Sequence, residues 1–448
     1  MKSFCRALFV VALSFASASL YALDRQSTAD YHARRVALAD KLNGGIAILF
    51  AAEEPLLDFM PYRQDEDFYY LTGWNEPGAA LLIEAPQPAQ GTHPARAYRE
   101  VMFLPTRNLR TELYTGKKLD AASADASQIT GVDEVKMMTD LALTLNQLAA
   151  ENRLIMRNIW SESDTEQARA LVQWTATTLA IASVPPFADV RTPVHQLRET
   201  KDTGELTLLH KASDASVQAQ FAMMKSVHPS QKERTVAGII LEKLMENGCE
   251  RPSYAPIVGS GEKSTELHYS DNSQTMKEGD VVVVDAAGEY SMYASDITRT
   301  VPVSGHFTAR QREIYDIVLG AQKAAMDGFV AGKSRLNDPQ HKYPDSLDTI
   351  AFNYMNAHGK DLHGEPLGKY FIHGIGHSVG INVHDPYDYT QPIKNGMVFT
   401  IEPGIYIPEE KIGVRIEDVF YADQDGKLID LTEALPKDAE TVEKAMRK

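Results

Sequence analysis

Apolar positions along the chain change their spacing several times, and the changes mark out its elements. Residues 27–42 carry apolar side chains at helical spacing, opened by Ser27-Thr28, whose hydroxyls can cap free N–H groups. Gly44 to Ala51 then reads as a buried strand. An aromatic segment from Tyr62, a Gly/Asn/Pro turn and the run Ala79 to Glu84 predict a second strand, and Met102-Phe-Leu-Pro105 a third. Helices are expected over 134–151 and 163–182, with Leu154-Ile-Met156 as a strand between them. Alternating helix and strand predict one α/β domain over residues 23–190. Pro185-Pro186 through Pro193 is the clearest break in composition and is read as the linker to a second domain, 191–448.

The second domain opens with a helix over about 202–227, striped by Leu206, Leu209, Val217, Phe221 and Met224. The next helix is expected to start at Ser230, with Glu233 completing a capping box, and to end at Gly248. A turn-rich stretch, 253–272, precedes the valine run 281–284. Thr308 and Gln311 predict a second capping box, a further helix is expected near 346–358, and strands dominate beyond Tyr370.

The valine run frames the first candidate chemistry. Gly279 to Thr300 reads as two strands joined by a Gly-centred turn, with Asp285 ending one and Asp296 just before Ile297-Thr298 of the other. An ionised carboxylate in an apolar sheet needs a compensating charge or a shifted pKa; a divalent cation and a buried ion pair both meet that need. Later segments add to the pair. Three histidines, His373, His377 and His384, fall among glycines; Glu402 follows Phe399-Thr-Ile401 and Glu417 follows Gly413-Val-Arg-Ile416. Either acid alone is explained by an ion pair with Arg415 or by a surface position. Together, four acids in apolar strands and one glycine-flanked imidazole form an oxygen-rich donor set whose charge two divalent cations would cancel, the makeup of a two-metal hydrolytic site.

Length and charge narrow the setting. A chain of 448 residues is long enough for two or three domains, and a net charge of −16 argues against nucleic acid and anionic membrane surfaces as partners. Residues 1–22 read as a secretory signal: a basic start with Lys2 and Arg6, a short apolar run from Ala7 to Phe15, and small-residue cleavage points at Ala18 or Ala22. Secretion or a periplasmic location is therefore expected, with no membrane attachment after cleavage. Removal of the signal takes the charge from −16 to −18 and leaves Cys249 without a partner for an internal disulfide.

The order Asp285, Asp296, His377, Glu402, Glu417 resembles the five metal ligands of the pita-bread metallopeptidases, the group containing methionine aminopeptidase, prolidase and aminopeptidase P. The runs Asp296-Ile-Thr-Arg-Thr300, His373-Gly-Ile-Gly-His377, Glu402-Pro-Gly-Ile-Tyr406 and Arg415-Ile-Glu-Asp418 carry the likeness. Tyr62-Arg-Gln-Asp-Glu-Asp-Phe-Tyr-Tyr-Leu-Thr-Gly-Trp-Asn-Glu-Pro77 and His195-Gln-Leu-Arg198 resemble the aminopeptidase P subgroup in particular, with prolidase a near relative, and the resemblance runs from about residue 30 to 445.

That resemblance implies an α+β chain: a C-terminal pita-bread fold, a curved antiparallel sheet covered by helices, after a smaller creatinase-like α/β domain. It implies two divalent ions, usually manganese, with Asp285 on one, Asp296 and Glu417 bridging both, and His377 and Glu402 completing the other's shell. It places His268 and His384 beside the scissile bond, Glu402 as proton shuttle, and His373, Tyr406 and Arg415 around the substrate. The activity it implies is removal of an N-terminal residue from small peptides with proline in second position, by attack of metal-bound hydroxide. A homo-oligomer, dimer or tetramer, is expected, with the N-terminal domain as interface. A prolidase-type dipeptidase is the alternative, and a metal-free or non-catalytic homologue a more distant one. Two departures from the subgroup's pattern fall on the leaving side of the pocket: a short loop over 385–395, and Tyr114 where tryptophan is common.

Overall fold

The structure is a computed structural model that describes residues 23–54, 62–89, 94–149, 155–157 and 188–447. The expected signal segment, the helix over 163–182 and Pro185-Pro186 lie outside the described residues.

Strands β1 (Ile46–Phe50), β2 (Ala80–Glu84), β3 (Arg99–Leu104), β4 (Glu134–Met137), β5 (Ile155–Arg157) and β6 (Ala188–Asp189) form one mixed sheet in the order β4-β3-β2-β1-β5-β6. The inner strands β1 and β2 are buried at every residue because helices cover the sheet, which explains their continuous apolar runs. Helix α1 (Thr28–Lys41) starts at a capping box of Ser27 and Asp30, and α2 (Glu66–Thr72) is capped by Asp65 and closed by Gly73 at φ 59°. Two short helices, α3 (Glu112–Thr115) and α4 (Ala126–Thr130), precede β4.

The helix expected over 134–151 is only partly present. Its first residues are strand β4, paired in parallel with the edge of β3; a 3-10 turn follows, and helix α5 covers only Leu141–Ala149. The open edge of β3 recruits Glu134-Val-Lys-Met137, whose alternation was hidden in a longer apolar pattern. From residue 188 onward the expected linker is regular structure. Strand β6 completes the first sheet, and α6 (Arg191–Arg198) holds Pro193 in its first turn, where no N–H is required.

Helix α7 (Thr203–Ser226) begins at a box of Asp202 and Glu205 and packs on α8 (Glu233–Glu246). The expected Ser230 box does not form. Ser230 has φ 68°, and the Glu233 carboxylate instead accepts from Ser260 N and Oγ, Tyr269 OH and Gln274 N. Strands β7 (Arg251–Pro252) and β8 (Ile257–Ser260) follow, then β9 (Val281–Asp285).

The Gly279–Thr300 segment is not a single hairpin. β9 stops at Asp285, a small hairpin β10 (Gly288–Tyr290) and β11 (Tyr293–Ala294) turns at Ser291-Met292 with positive φ in a separate sheet, and β12 (Thr298–Pro302) returns to pair with β9. Helix α9 (Ala309–Gly328) starts at the expected box of Thr308 and Gln311 and packs on α10 (Leu347–His358). Beyond Tyr370 the glycine-rich chain forms no named strand until β13 (Val398–Ile401), so the expectation of strands from that point fails over 371–397. β14 (Gly404–Ile407), β15 (Ile412–Arg415), β16 (Asp418–Ala422), β17 (Leu428–Asp430) and α11 (Ala439–Ala445) complete the chain.

The small sheets join into one curved surface. Glu417 N donates to Thr298 O at 3.1 Å, and Arg415 N to Thr300 Oγ1 at 3.0 Å. Helix α9 covers its back, with Gln322 Nε2 donating to Ile401 O at 3.0 Å. No helix among the described residues is long and apolar enough to cross a membrane.

Candidate metal centre

Asp285, Asp296, His377, Glu402 and Glu417 line one cavity of about 650 Å³. Asp285 ends its strand as expected, whereas Asp296, Glu402 and Glu417, expected within strands, fall just outside them. Asp285 ends β9, Asp296 lies just before β12, Glu402 falls in the gap between β13 and β14, and Glu417 between β15 and β16. Within a strand successive side chains point to opposite faces; where the ladder stops, the backbone can turn each carboxylate towards one point. His377 reaches the same point from the glycine-rich run. That run docks on β13 through Thr400 N to His377 O at 2.9 Å and His377 N to Thr400 Oγ1 at 3.0 Å.

His377 Nε2 lies 3.2 Å from Asp296 Oδ2, 3.5 Å from Glu402 Oε1 and 4.0 Å from Glu417 Oε1. Its Nδ1 is 3.2 Å from Ser378 O. A carbonyl can only accept, so Nδ1 carries the proton and Nε2 is left to face the acids. Atoms of Asp296, His377 and Glu417 lie within 4.8 Å of one another, close enough to share an ion. Tyr254 OH is 2.5 Å from both Asp285 Oδ1 and Asp296 Oδ1. One phenolic proton cannot serve two ionised carboxylates, so the second contact needs a further proton or a cation.

The electrostatics agree. Among the described residues, the permanent cation paired with these acids is Arg415, whose Nη2 donates to Asp285 Oδ2 at 2.5 Å. Burial, reinforced by Asp296 and Glu402, raises the Glu417 carboxyl well above its usual range. Burial also raises Asp285 despite Arg415, and pushes Glu402 up to about 7. Burial alone would depress His377, but the hydrogen bond its ring donates to Asp296 and the charge of Glu402 carry it up to about 9. A site that draws in protons to offset crowded negative charge is one that divalent ions fit, and its oxygen-rich donors are hard ligands.

The flanking residues form a second chain of contacts. Arg415 Nη1 donates to Tyr406 OH at 2.9 Å, and Tyr406 OH lies 2.9 Å from His373 Nε2. His373 Nδ1 faces Gly374 O at 2.8 Å, so Nε2 accepts the Tyr406 proton. Burial and then Arg415 push His373 down to about 4, so its ring is neutral near pH 7. His268 and His384 are exposed on the cavity wall, and the His384 ring stands edge-on to His377 with centroids 4.2 Å apart. Burial and the nearby His377 lower His384.

Sequence reasoning missed Tyr254, Thr298 and Asn337. Thr298 Oγ1 donates to Glu417 Oε2 at 2.6 Å, accepting from Arg415 Nε at 3.0 Å, and Asn337 Nδ2 donates to Gly376 O at 2.8 Å. Thr298 stood inside a quoted motif, and its hydroxyl was the available signal; Tyr254 stood in a stretch read only as turns. Tyr389 of the short loop lines the cavity, whereas Tyr114 is 81% exposed and does not.

Four acids at strand ends of a curved sheet and one imidazole from the glycine-rich run, under an open cavity, define a metallopeptidase of the pita-bread class. The chain belongs to metallopeptidase family M24: residues 207–424 match that family, and residues 31–156 match the aminopeptidase P N-terminal domain. It is 32% identical over 446 residues to the Xaa-Pro aminopeptidase of Escherichia coli (strain K12), covering 94% of this chain and 98% of the relative. The structure of aminopeptidase P from E. coli with the inhibitor Pro-Leu superposes with a TM-score of 0.80 at 30% identity, covering 94% of this chain and 99% of the other. Zinc-substituted E. coli aminopeptidase P in complex with product gives a TM-score of 0.80 at 31% identity, covering 95% and 100%.

Proposed function

We infer that this chain is a metal-dependent exopeptidase that hydrolyses the bond between an N-terminal residue and a following proline. The observation that carries the inference is the buried cage of Asp285, Asp296, His377, Glu402 and Glu417 with His268 and His384 on the wall of its cavity, in a chain similar along its length to Xaa-Pro aminopeptidases. The cage would hold two divalent ions, and its four carboxylates and single imidazole favour manganese over zinc, which is more often held by nitrogen and sulfur. Bound there, the ions supply Lewis acidity towards the scissile carbonyl and lower the pKa of water.

The chain's own groups do the rest. A lowered pKa keeps His384 neutral, so its ring N–H can donate to the carbonyl oxygen as negative charge develops there, with His268 on the same wall as a second donor. Glu402, a carboxylate on the cavity wall, is placed to take a proton from water and return it to the leaving imino nitrogen. Arg415 fixes Tyr406, and Tyr406 fixes His373 at the cavity edge. Proline in second position has no amide N–H, so the pocket must accept a ring in place of a strand-like hydrogen bond, and imidazole faces suit that task.

We extend the same reading to export through the 1–22 segment and to a homo-oligomer. Leu109, Leu113 and Tyr114 of the N-terminal domain, 70%, 85% and 81% exposed, support an interface there. The test is hydrolysis of Xaa-Pro-Yaa against Xaa-Pro by protein stripped of metal and reloaded with manganese, zinc or cobalt. Cleavage of the tripeptide with release of the first residue is expected, and activity confined to the dipeptide would assign the chain to the prolidase reading instead.

A further inference from the structure

Two motifs of the N-terminal half, Tyr62-Arg-Gln-Asp-Glu-Asp67 and His195-Gln-Leu-Arg198, contribute nothing to the metal cage. Both converge on the loop that carries His384. Arg63 Nη2 donates to Ile381 O at 2.8 Å, and Glu66 Oε1 accepts from Asn382 Nδ2 at 2.5 Å. Asn382 Oδ1 in turn accepts from His384 N at 2.8 Å. On the other flank, Asp385 Oδ1 accepts from Arg198 Nη2 at 2.6 Å, and Asp385 Oδ2 from Lys201 Nζ at 2.7 Å. Arg198 is shared with Asp67 at 2.6 Å and Glu66 at 3.1 Å, which ties this flank to the same helix α2.

These contacts are built to hold a fixed geometry. The side chains of Arg198, Lys201 and Asp385 are 2%, 0% and 1% exposed, so each charge is out of water and depends on its partners. Gly380 closes the loop so tightly that a Cβ there would come 2.5 Å from Asp385 Oδ2. Among the described residues the ring nitrogens of His384 have no hydrogen-bond partner. Its position is therefore set by its backbone and by the edge of the His377 ring.

We propose that Glu66 and Arg63 of the N-terminal domain on one side, and Arg198 and Lys201 at the start of the second domain on the other, act as positioning residues for catalysis, clamping residues 381–385 so that His384 is held over the metal cage. The proposal rests on the role given to His384 above. Glu66 is a positioning residue, acting through Asn382.

The experiment uses the full chain with Glu66→Ala and Glu66→Gln, alone and combined with His384→Ala. Glu66 is a quarter exposed, and Arg198 keeps Asp67 and Asp385 as partners when Glu66 is changed. With Glu66→Ala, kcat for an Xaa-Pro-Yaa peptide should fall on the order of 10-fold while KM and metal content hold. Glu66→Gln, which keeps an oxygen for Asn382, should restore most of it. In the His384→Ala background Glu66→Ala should cost nothing further. A second readout does not need activity: in the zinc-loaded protein, the histidine ring resonance lost in His384→Ala should shift or broaden in Glu66→Ala while that of His268 stays. Unchanged kcat, a full additional loss in the double variant, or an unmoved His384 resonance each overturns the clamp. A wild-type enzyme inactive on Xaa-Pro-Yaa counts against the function above and leaves the resonance to decide the clamp.

Discussion

At the scale of single residues, the site separates groups that would touch ions from groups that would touch the developing charge. His384 is the cleanest case of the second kind, because its ring faces the cavity and no described partner competes for its N–H. His384→Ala should lower kcat about 100-fold or more with KM within a few-fold, the signature of a donor used mainly in the transition state. Steady-state kinetics on one tripeptide decides it: near-normal kcat with only KM altered removes His384 from that role. Tyr254 supports the first group, since its hydroxyl spans Asp285 and Asp296. Tyr254→Phe keeps the ring and removes the hydroxyl that orients both acids, so metal affinity should weaken by about 10-fold or more. Competition with a chelator measures it, and unchanged affinity would show that the carboxylates are oriented without the phenol.

At the scale of elements, the centre depends on how closely the His377 segment lies on β13. A Cβ at Gly376 would come 2.1 Å from Thr400 O, a backbone atom of that strand. Gly376→Ala must therefore lift the segment, weakening the pair of hydrogen bonds between His377 and Thr400. Stability should drop by about 1–3 kcal/mol, and metal affinity should fall with it. Gly238→Ala, on the exposed face of α8 with nothing within 4 Å of its Cβ, is the control and should be neutral or stabilising. Thermal melts of both variants, with and without metal, test the contrast, and equal melting temperatures would mean the segment tolerates lifting.

The same elements show what was legible beforehand. The helix over 28–41 was readable because cap and apolar period coincide, that over 203–226 from its apolar stripe, and that over 309–328 from its capping box. Glu134–Met137 was not, because its strand exists only through the neighbouring edge of β3. Ser230 failed as a cap for a similar reason: Glu233 has better partners in Ser260, Tyr269 and Gln274, all distant in sequence. The five cage residues were legible as acids and an imidazole in apolar surroundings, whereas Tyr254 and Thr298 matter through contacts that only the folded sheets create.

At the scale of the whole molecule, the cage trades stability against charge, and pH exposes the trade. In the metal-free protein Glu402 is pushed up to about 7 from 4.5, and Glu417 and Asp285 are raised as well. An acid raised on folding adds stability below its unfolded pKa and loses it as pH rises through the folded one. His377, raised to about 9 from 6.5, has the same sign: its contribution is complete below 6.5 and is lost as pH climbs through about 9. All four therefore push the metal-free protein towards lower stability between about pH 5 and pH 9. Divalent ions reverse this, because binding requires ionised carboxylates and a neutral imidazole and so displaces the same protons. Affinity should rise with pH over that window, with proton release visible by calorimetry in buffers of different ionisation enthalpy. At free metal about 100 times Kd, one ion adds about 2.7 kcal/mol, which for a domain of this size is on the order of 5–10 °C in Tm. The Tm gap between manganese-loaded and chelator-treated protein should widen from about pH 5.5 to pH 8.5. A gap that is constant or that narrows would mean the cage acids are neutralised by the protein itself, leaving ions at this site no electrostatic advantage.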